Sequence, residues 1–218
     1  MSFIVSIEGN IGSGKSTLLE ELKKCGELNN KLVFVQEPVD EWNNIKDSSG
    51  ESIIQKFYAN QGAYAFSFQI LAYITRLRKI LDAIEKNPDA VIISERSLET
   101  DRYVFAQMLY DEGKIREIDW IIYNYWFNSF LDKIKTNLII YIKTSPDNCH
   151  KRITKRNRSG EVIPIEYLEN CDNYHNKWLK DSTIEVITLN GNTDINTGDY
   201  HTLLKNAMNI IETECFSK

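Results

Sequence analysis

A chain of 218 residues, 42% of them hydrophobic, is long enough to bury the core of one domain and too apolar to be disordered. A formal net charge of −5 argues against a nucleic-acid scaffold, and no apolar run approaches the length of a membrane span. The four cysteines, Cys25, Cys149, Cys171 and Cys215, include no C-x-x-C pair, which argues against a metal centre or disulfide framework and points to a reducing compartment.

The chain opens on an apolar strand, Phe3 to Ile7, without a basic leader or apolar h-region, so a cytoplasmic location is expected. The stretch Gly9-Asn10-Ile11-Gly12-Ser13-Gly14-Lys15-Ser16-Thr17 follows, and Leu18 to Lys24 begins an amphipathic helix. Gly9 to Ser16 fits G-x-x-x-x-G-K-S in the strand–loop–helix setting of a phosphate-binding loop. Glycines let backbone N–H groups approach phosphate oxygens, and the helix start adds partial positive charge there. Lys15 then suits the β- and γ-phosphates, and the Ser16 hydroxyl suits Mg²⁺.

After a polar turn at Gly26 to Asn30, Leu32 to Gln36 reads as the second strand. Pro38 cannot continue a ladder, which places Glu37 at the strand's carboxyl end. Glu37 there suits a general base, with an N-cap or surface carboxylate as the alternative. A loop at Ser48-Ser49-Gly50 leads to a short helix, Ser52 to Ala59, and a long one, Ala63 to Lys86. Gln69 and Arg76 lie two turns apart on one face of the long helix, among Tyr58, Phe66, Phe68 and Tyr73, an aromatic grouping more common in cores than in pockets.

Ala90 to Ser94 is a central strand that ends in Glu95-Arg96-Ser97. Glu95 stands where many phosphate-binding-loop proteins place a metal-holding Asp, and Arg96 suits phosphate charge or support of Glu37. A buried structural ion pair is the alternative. Leu98 to Tyr110 and Ile115 to Leu131 read as a helical pair, whose Trp120, Tyr123, Trp126 and Phe127 suit either core or a dimer face. Leu138 to Ile142 is a fourth strand, Pro146 to Asn157 a helix with a basic end, Pro164 to Leu179 a further helix, Ile184 to Leu189 the fifth strand and Tyr200 to Thr213 the closing helix. Arg152, Arg156 and Arg158, with Lys151 and Lys155 interleaved, form the densest basic run and suit a lid over phosphates, a solvated helix face or a nucleic-acid patch. His150, His175 and His201 have no ligand spacing. The alternation predicts an α/β fold with a parallel five-stranded sheet flanked by helices, ligands bound beyond the carboxyl strand ends, and one domain over residues 1–218.

The run Ile7 to Thr17, Glu37-Pro38-Val39, Glu95-Arg96-Ser97 and Asp101-Arg102-Tyr103, in this order and spacing, resembles the deoxynucleoside kinases of the deoxycytidine/deoxyguanosine kinase type. The resemblance implies a P-loop kinase fold with an arginine-rich lid at about residues 152–163, and ATP-dependent, Mg²⁺-assisted phosphorylation of a deoxynucleoside 5′-hydroxyl. It implies Glu37 as base with Arg96 beside it, Lys15 on phosphate, and Ser16 and Glu95 at the metal. It implies Gln69, Arg76 and Asp101 on the nucleobase, Phe68 and Phe105 stacking, Trp42 and Phe57 as pocket walls, and Tyr58 and Glu161 at the sugar 3′-hydroxyl. ATP would be held by residues 9–17, Arg152, Arg156, Arg158, Asp194 and Ile195. The partners implied are the two substrates and a second copy of the chain, with no nucleic acid and no membrane. The Arg76–Asp101 pair beside Gln69 suits a base with an amino group, so deoxycytidine or a purine deoxynucleoside is expected over thymidine. The nearest rival, a nucleoside monophosphate kinase, needs no base where Glu37 stands.

Overall fold

A computed structural model describes residues 2–26, 31–130, 133–158 and 161–216. Glu27 to Asn30 of the expected turn, Leu131, and Ser159 and Gly160 of the expected lid lie outside the described residues.

Five strands form one parallel sheet in the order β2-β3-β1-β4-β5. They are β1 (Phe3–Glu8), β2 (Leu32–Val35), β3 (Val91–Glu95), β4 (Leu138–Lys143) and β5 (Glu185–Asn190). The central three are rich in β-branched residues because both of their faces are covered. Alternation divides their side chains. Val5, Ile7, Ile93 and Ile140 pack against Leu18, Leu19 and Leu22 of α1 (Lys15–Gly26) and Leu203, Ala207 and Ile211 of α10 (Gly198–Phe216). Ile4, Ile92 and Ile139 pack on the other face, with Leu77 and Ile80 of α4 (Gln61–Lys86) and Leu168 and Cys171 of α9 (Ile165–Lys180). Register sets Ile7 beside Glu95 and Val35 beside Ser94, so β1, β2 and β3 deliver Gly9, Glu37 and Glu95 to one edge.

Local chemistry sets the helix starts. Ser52 makes a capping box with Gln55 at the head of α3 (Ile53–Ala59). The Asn60 side chain accepts from Ala63 N, so α4 begins two residues earlier than the hydrophobic pattern predicts. Ser145 caps α8 (Pro146–Arg156), which ends where Asn157 turns left-handed. Two features differ from expectation. The segment after Glu37 forms a helix, α2 (Val39–Asn44), whose single turn and a half is too short for a periodicity to register. The stretch expected as one helix from Leu98 instead runs as α5 (Leu98–Thr100), a π-helix over Asp101–Ala106 and α6 (Gln107–Asp111). A π-turn widens the helix and shifts the facing of its side chains, and it leaves no mark in hydrophobic spacing. The next helix, α7 (Glu117–Phe130), splits the aromatic group as either reading allowed: Tyr123 and Phe127 are buried, whereas Trp126 is exposed.

Of the three histidines only His175 is buried. Its Nδ1 lies 2.7 Å from the Cys171 carbonyl oxygen, Nε2 takes no partner among the described residues, and the ring contacts Tyr141 and Phe105. Burial, aided by the charge of Arg96, holds it well below the ordinary 6.5. The native ring stays neutral where the unfolded chain takes up a proton, so folding stability rises with pH up to about 6.5. Urea unfolding followed from pH 5 to pH 7 should therefore show increasing stability, with the slope reduced in His175→Gln.

Candidate active site

A cavity of about 550 Å³ opens at the carboxyl edge of the sheet. It runs from the Lys15 loop, past Glu37 and Arg96, to an aromatic end formed by Trp42, Phe57, Phe68 and Phe105.

At its centre is a buried charge cluster. Arg76 is 1% exposed and uses all three guanidinium nitrogens. Nε donates to Asp101 Oδ2 at 2.8 Å, Nη1 to the Glu95 carbonyl at 2.6 Å, and Nη2 to Glu37 Oε1 at 2.8 Å and Asp101 Oδ1 at 3.2 Å. Arg96 Nε lies 3.2 Å from the same Glu37 oxygen. Glu37 Oε2 takes no hydrogen bond among the described residues. Burial disfavours the charged carboxylate, but Arg96, Arg76 and Lys15 outweigh it and hold the Glu37 pKa down at about 2. The Arg76 pKa is raised because Asp101 and Glu37 outweigh the burial that would lower it. Arg96 itself has φ 66°, a left-handed backbone that a branched or long side chain adopts at a cost of order 1–3 kcal/mol. It is held there by its N–H to Ile7 O at 3.1 Å, by Nη1 to Gly9 O at 2.8 Å, and by its guanidinium lying 4.7 Å from the Phe105 ring centre.

Across the cavity, Lys15 Nζ donates to the Asn10 carbonyl at 2.8 Å. Burial lowers its pKa to about 8, with Arg96 adding to the effect and Glu95, Glu37 and Glu8 opposing it. Ser16 Oγ donates to Glu95 Oε1 at 2.6 Å, and the Glu37 N–H reaches Glu95 Oε2 at 3.4 Å. At the aromatic end, Phe57 and Phe68 have ring centres 4.7 Å apart, and Phe68 meets Trp42 edge-on at 5.4 Å. Trp42 lines the cavity with its N–H already spent, Nε1 donating to Thr75 Oγ1 at 2.9 Å. Gln69 Oε1 is buried there and has no hydrogen-bond partner among the described residues. Arg156 donates to Glu161 at 2.6 Å beside Tyr58, whose hydroxyl pKa is raised chiefly by burial and then by Glu161.

Nearly all the residues singled out from sequence line this one cavity. Gly9 and Asn10, expected on ATP, do not: the Gly9 carbonyl accepts from Arg96 and the Asn10 side chain is spent on Leu168 O. Arg158 lines the mouth, as do Asp194 and Ile195. Lys155 of the basic run also lines it, as do Tyr167 and Thr193. Tyr167 and Thr193 carry no motif and were not singled out from sequence.

A model of the deoxynucleoside kinase family matches residues 5–212. A probable deoxycytidine kinase of fowlpox virus (strain NVSL) is 39% identical over 199 residues, covering 87% of this chain and 79% of its own length. Human deoxycytidine kinase is 32% identical over 240 residues, covering 96% of this chain and 91% of its own. Human mitochondrial thymidine kinase 2 is 32% identical over 179 residues, covering 81% of this chain and 64% of its own. The four motifs converge on one cavity in a parallel P-loop sheet, and the match spans nearly the whole sequence; the chain belongs to the deoxynucleoside kinase family.

Proposed function

We propose that the chain transfers the γ-phosphoryl group of ATP to the 5′-hydroxyl of a deoxynucleoside in nucleotide salvage, and that it favours deoxycytidine or a purine deoxynucleoside over thymidine. One observation carries the reading: Glu37 and the Lys15 loop face the same cavity, and its far end is aromatic with unpaired hydrogen-bonding capacity.

In this reading the P-loop amides and Lys15 hold the phosphates, and a nucleobase lies against Phe68 and Phe105. Phe57 and Trp42 close the wall, and Tyr58 and Glu161 take the sugar 3′-hydroxyl. Arg76 and Arg96 fix Glu37 Oε1, which leaves Oε2 to accept the 5′-hydroxyl proton as the oxygen attacks. A carboxylate held near pKa 2 is a weak base. Such a base suffices where the transition state is loose and little proton transfer precedes bond breaking, and where orientation supplies most of the rate. Arg156 and Arg158 at the cavity mouth suit negative charge that develops on the transferring group. Mg²⁺ fits the oxygen pair of Ser16 and Glu95, and would neutralise β- and γ-phosphate charge. Among the described residues no cluster of three or more His, Cys, Asp or Glu could hold a metal. That sparseness suits a cation kept mostly by phosphate and water.

Base preference follows from polar complementarity. Gln69 Oε1 needs a donor, and the Asp101 carboxylate, held by Arg76 through both oxygens, is a further acceptor that repels a carbonyl oxygen at that edge. Cytosine and adenine bring an amino group there, and guanine carries one on the neighbouring ring carbon, whereas thymine has none. A homodimer is proposed through α4 and α7, where Ile74, Ile118, Ile121, Tyr125 and Trp126 are exposed together. No helix among the described residues is long and apolar enough to cross a membrane.

Glu37→Gln should lower kcat by about a hundredfold or more while deoxynucleoside affinity measured by calorimetry changes little; near-normal kcat would remove Glu37 as base. In a competition assay with all four deoxynucleosides, thymidine should show the lowest kcat/KM, by about tenfold or more. Comparable values for thymidine would refute the preference. Because Lys15 is charged only below about pH 8 in the free chain, ATP affinity should fall as pH rises through that value. Lys15→Met should bind ATP weakly throughout, without that step.

A further inference from the structure

The loop that offers N–H groups to an anion must turn its carbonyls the other way, because the two point in opposite directions across a trans peptide. Those carbonyls, once buried, need donors of their own. The Ser13 carbonyl has two. Thr144 Oγ1 donates to it at 3.1 Å and Arg152 Nη1 at 2.9 Å. Across the trans peptide, the Gly14 N–H takes no partner among the described residues, and Gly14 lines the cavity.

Both donors are themselves fixed. Thr144 is 1% exposed at the end of β4, and its carbonyl accepts from Cys149 Sγ. Arg152 Nη2 donates to Gly191 O at 2.8 Å and to Thr193 O at 2.6 Å, so one guanidinium ties the P-loop to the segment after β5. The helix bearing Arg152 touches the loop directly: a Cβ at Gly12 would lie 2.7 Å from the Cys149 carbonyl and 2.9 Å from Ile153 Cγ1. Gly12 has φ 76°, so this turn and this contact both need glycine.

We infer that Thr144 and Arg152 are positioning residues of the phosphate site, which lock the Ser13–Gly14 peptide so that the Gly14 N–H faces the bound phosphate. The basic run thus divides by task. Arg152 is anchored to backbone on the scaffold side, whereas Arg156 and Arg158 remain at the mouth. Orientation of this kind removes a reorganisation cost at binding and is independent of charge, which sets it apart from a direct guanidinium–phosphate contact.

The inference rests on the reading of this loop as the ATP phosphate site, and Thr144 supplies a test free of net charge. Binding of inorganic tripolyphosphate and of deoxycytidine to the full chain would be measured by calorimetry, with the Gly14 amide followed by ¹⁵N–¹H NMR. Thr144→Val should weaken tripolyphosphate about tenfold, the worth of one buried neutral hydrogen bond, and should leave deoxycytidine affinity unchanged. Its Gly14 amide should show a smaller shift on tripolyphosphate addition. Thr144→Ser should restore both readouts. Arg152→Lys, which keeps the charge but cannot span three carbonyls, should weaken tripolyphosphate as well. Wild-type affinity in Thr144→Val, or equal losses for both ligands, would overturn the inference while leaving the kinase reading intact. Failure of the wild-type chain to bind tripolyphosphate would overturn both.

Discussion

A single carboxylate oxygen, Glu37 Oε1, meets two buried guanidiniums, and the architecture around the cavity follows from that contact. A buried charge is tolerated only when it is paired and hydrogen-bonded, and removing one partner of such a pair typically costs about 3–5 kcal/mol. Arg76 and Arg96 are both almost fully buried, so their positions are tolerable only if anions arrive beside them. Glu37 from the end of β2 and Asp101 from the π-helix are those anions. The cluster therefore knits α4, β2, β3 and the π-helix into one wall, and a group proposed for chemistry is also a group that the fold requires.

The same contact reconciles two demands on Glu37. A free glutamate at a cavity mouth would sample many rotamers. The clamped one presents a single oxygen, at the expense of basicity. Phosphoryl transfer asks more for orientation than for proton affinity, so the exchange favours the reaction proposed here. Local backbone cost accumulates at the same place. Arg96 is left-handed, and Asp101 and Phe105 sit on a π-turn, the two departures from regular geometry that flank the cavity's middle.

On the nucleotide side a comparable economy holds. Lys15, Ser16 and the loop amides are presented by peptides whose carbonyls are satisfied from behind, by Thr144, Arg152 and Arg96. The Asn10 side-chain amide and the Gly9 carbonyl are bonded on that rear side. A motif match does not distinguish the two sides of a loop, because both are written in the same run of residues.

Order, type and spacing were legible in the chain itself. The β-branched runs, the glycine pattern before Lys15, and the acidic residues at two strand ends are short-range signals, each complete within a few neighbours. Five parallel strands and a shared edge for Glu37 and Glu95 follow from them. What tertiary structure alone decided is who pairs with whom. Arg76 could be read as a partner of Asp101 and Gln69 on chemical grounds, but its bonds run to residues 19, 25 and 39 positions away. Such separations leave no periodicity to read. Arg152 reads from sequence as one more cation for phosphate, and only the packing of α8 against Gly12 turns its guanidinium onto backbone carbonyls. The π-turn and α2 also lack a sequence signal: the first does not alter hydrophobic spacing, and the second is too short to show a period.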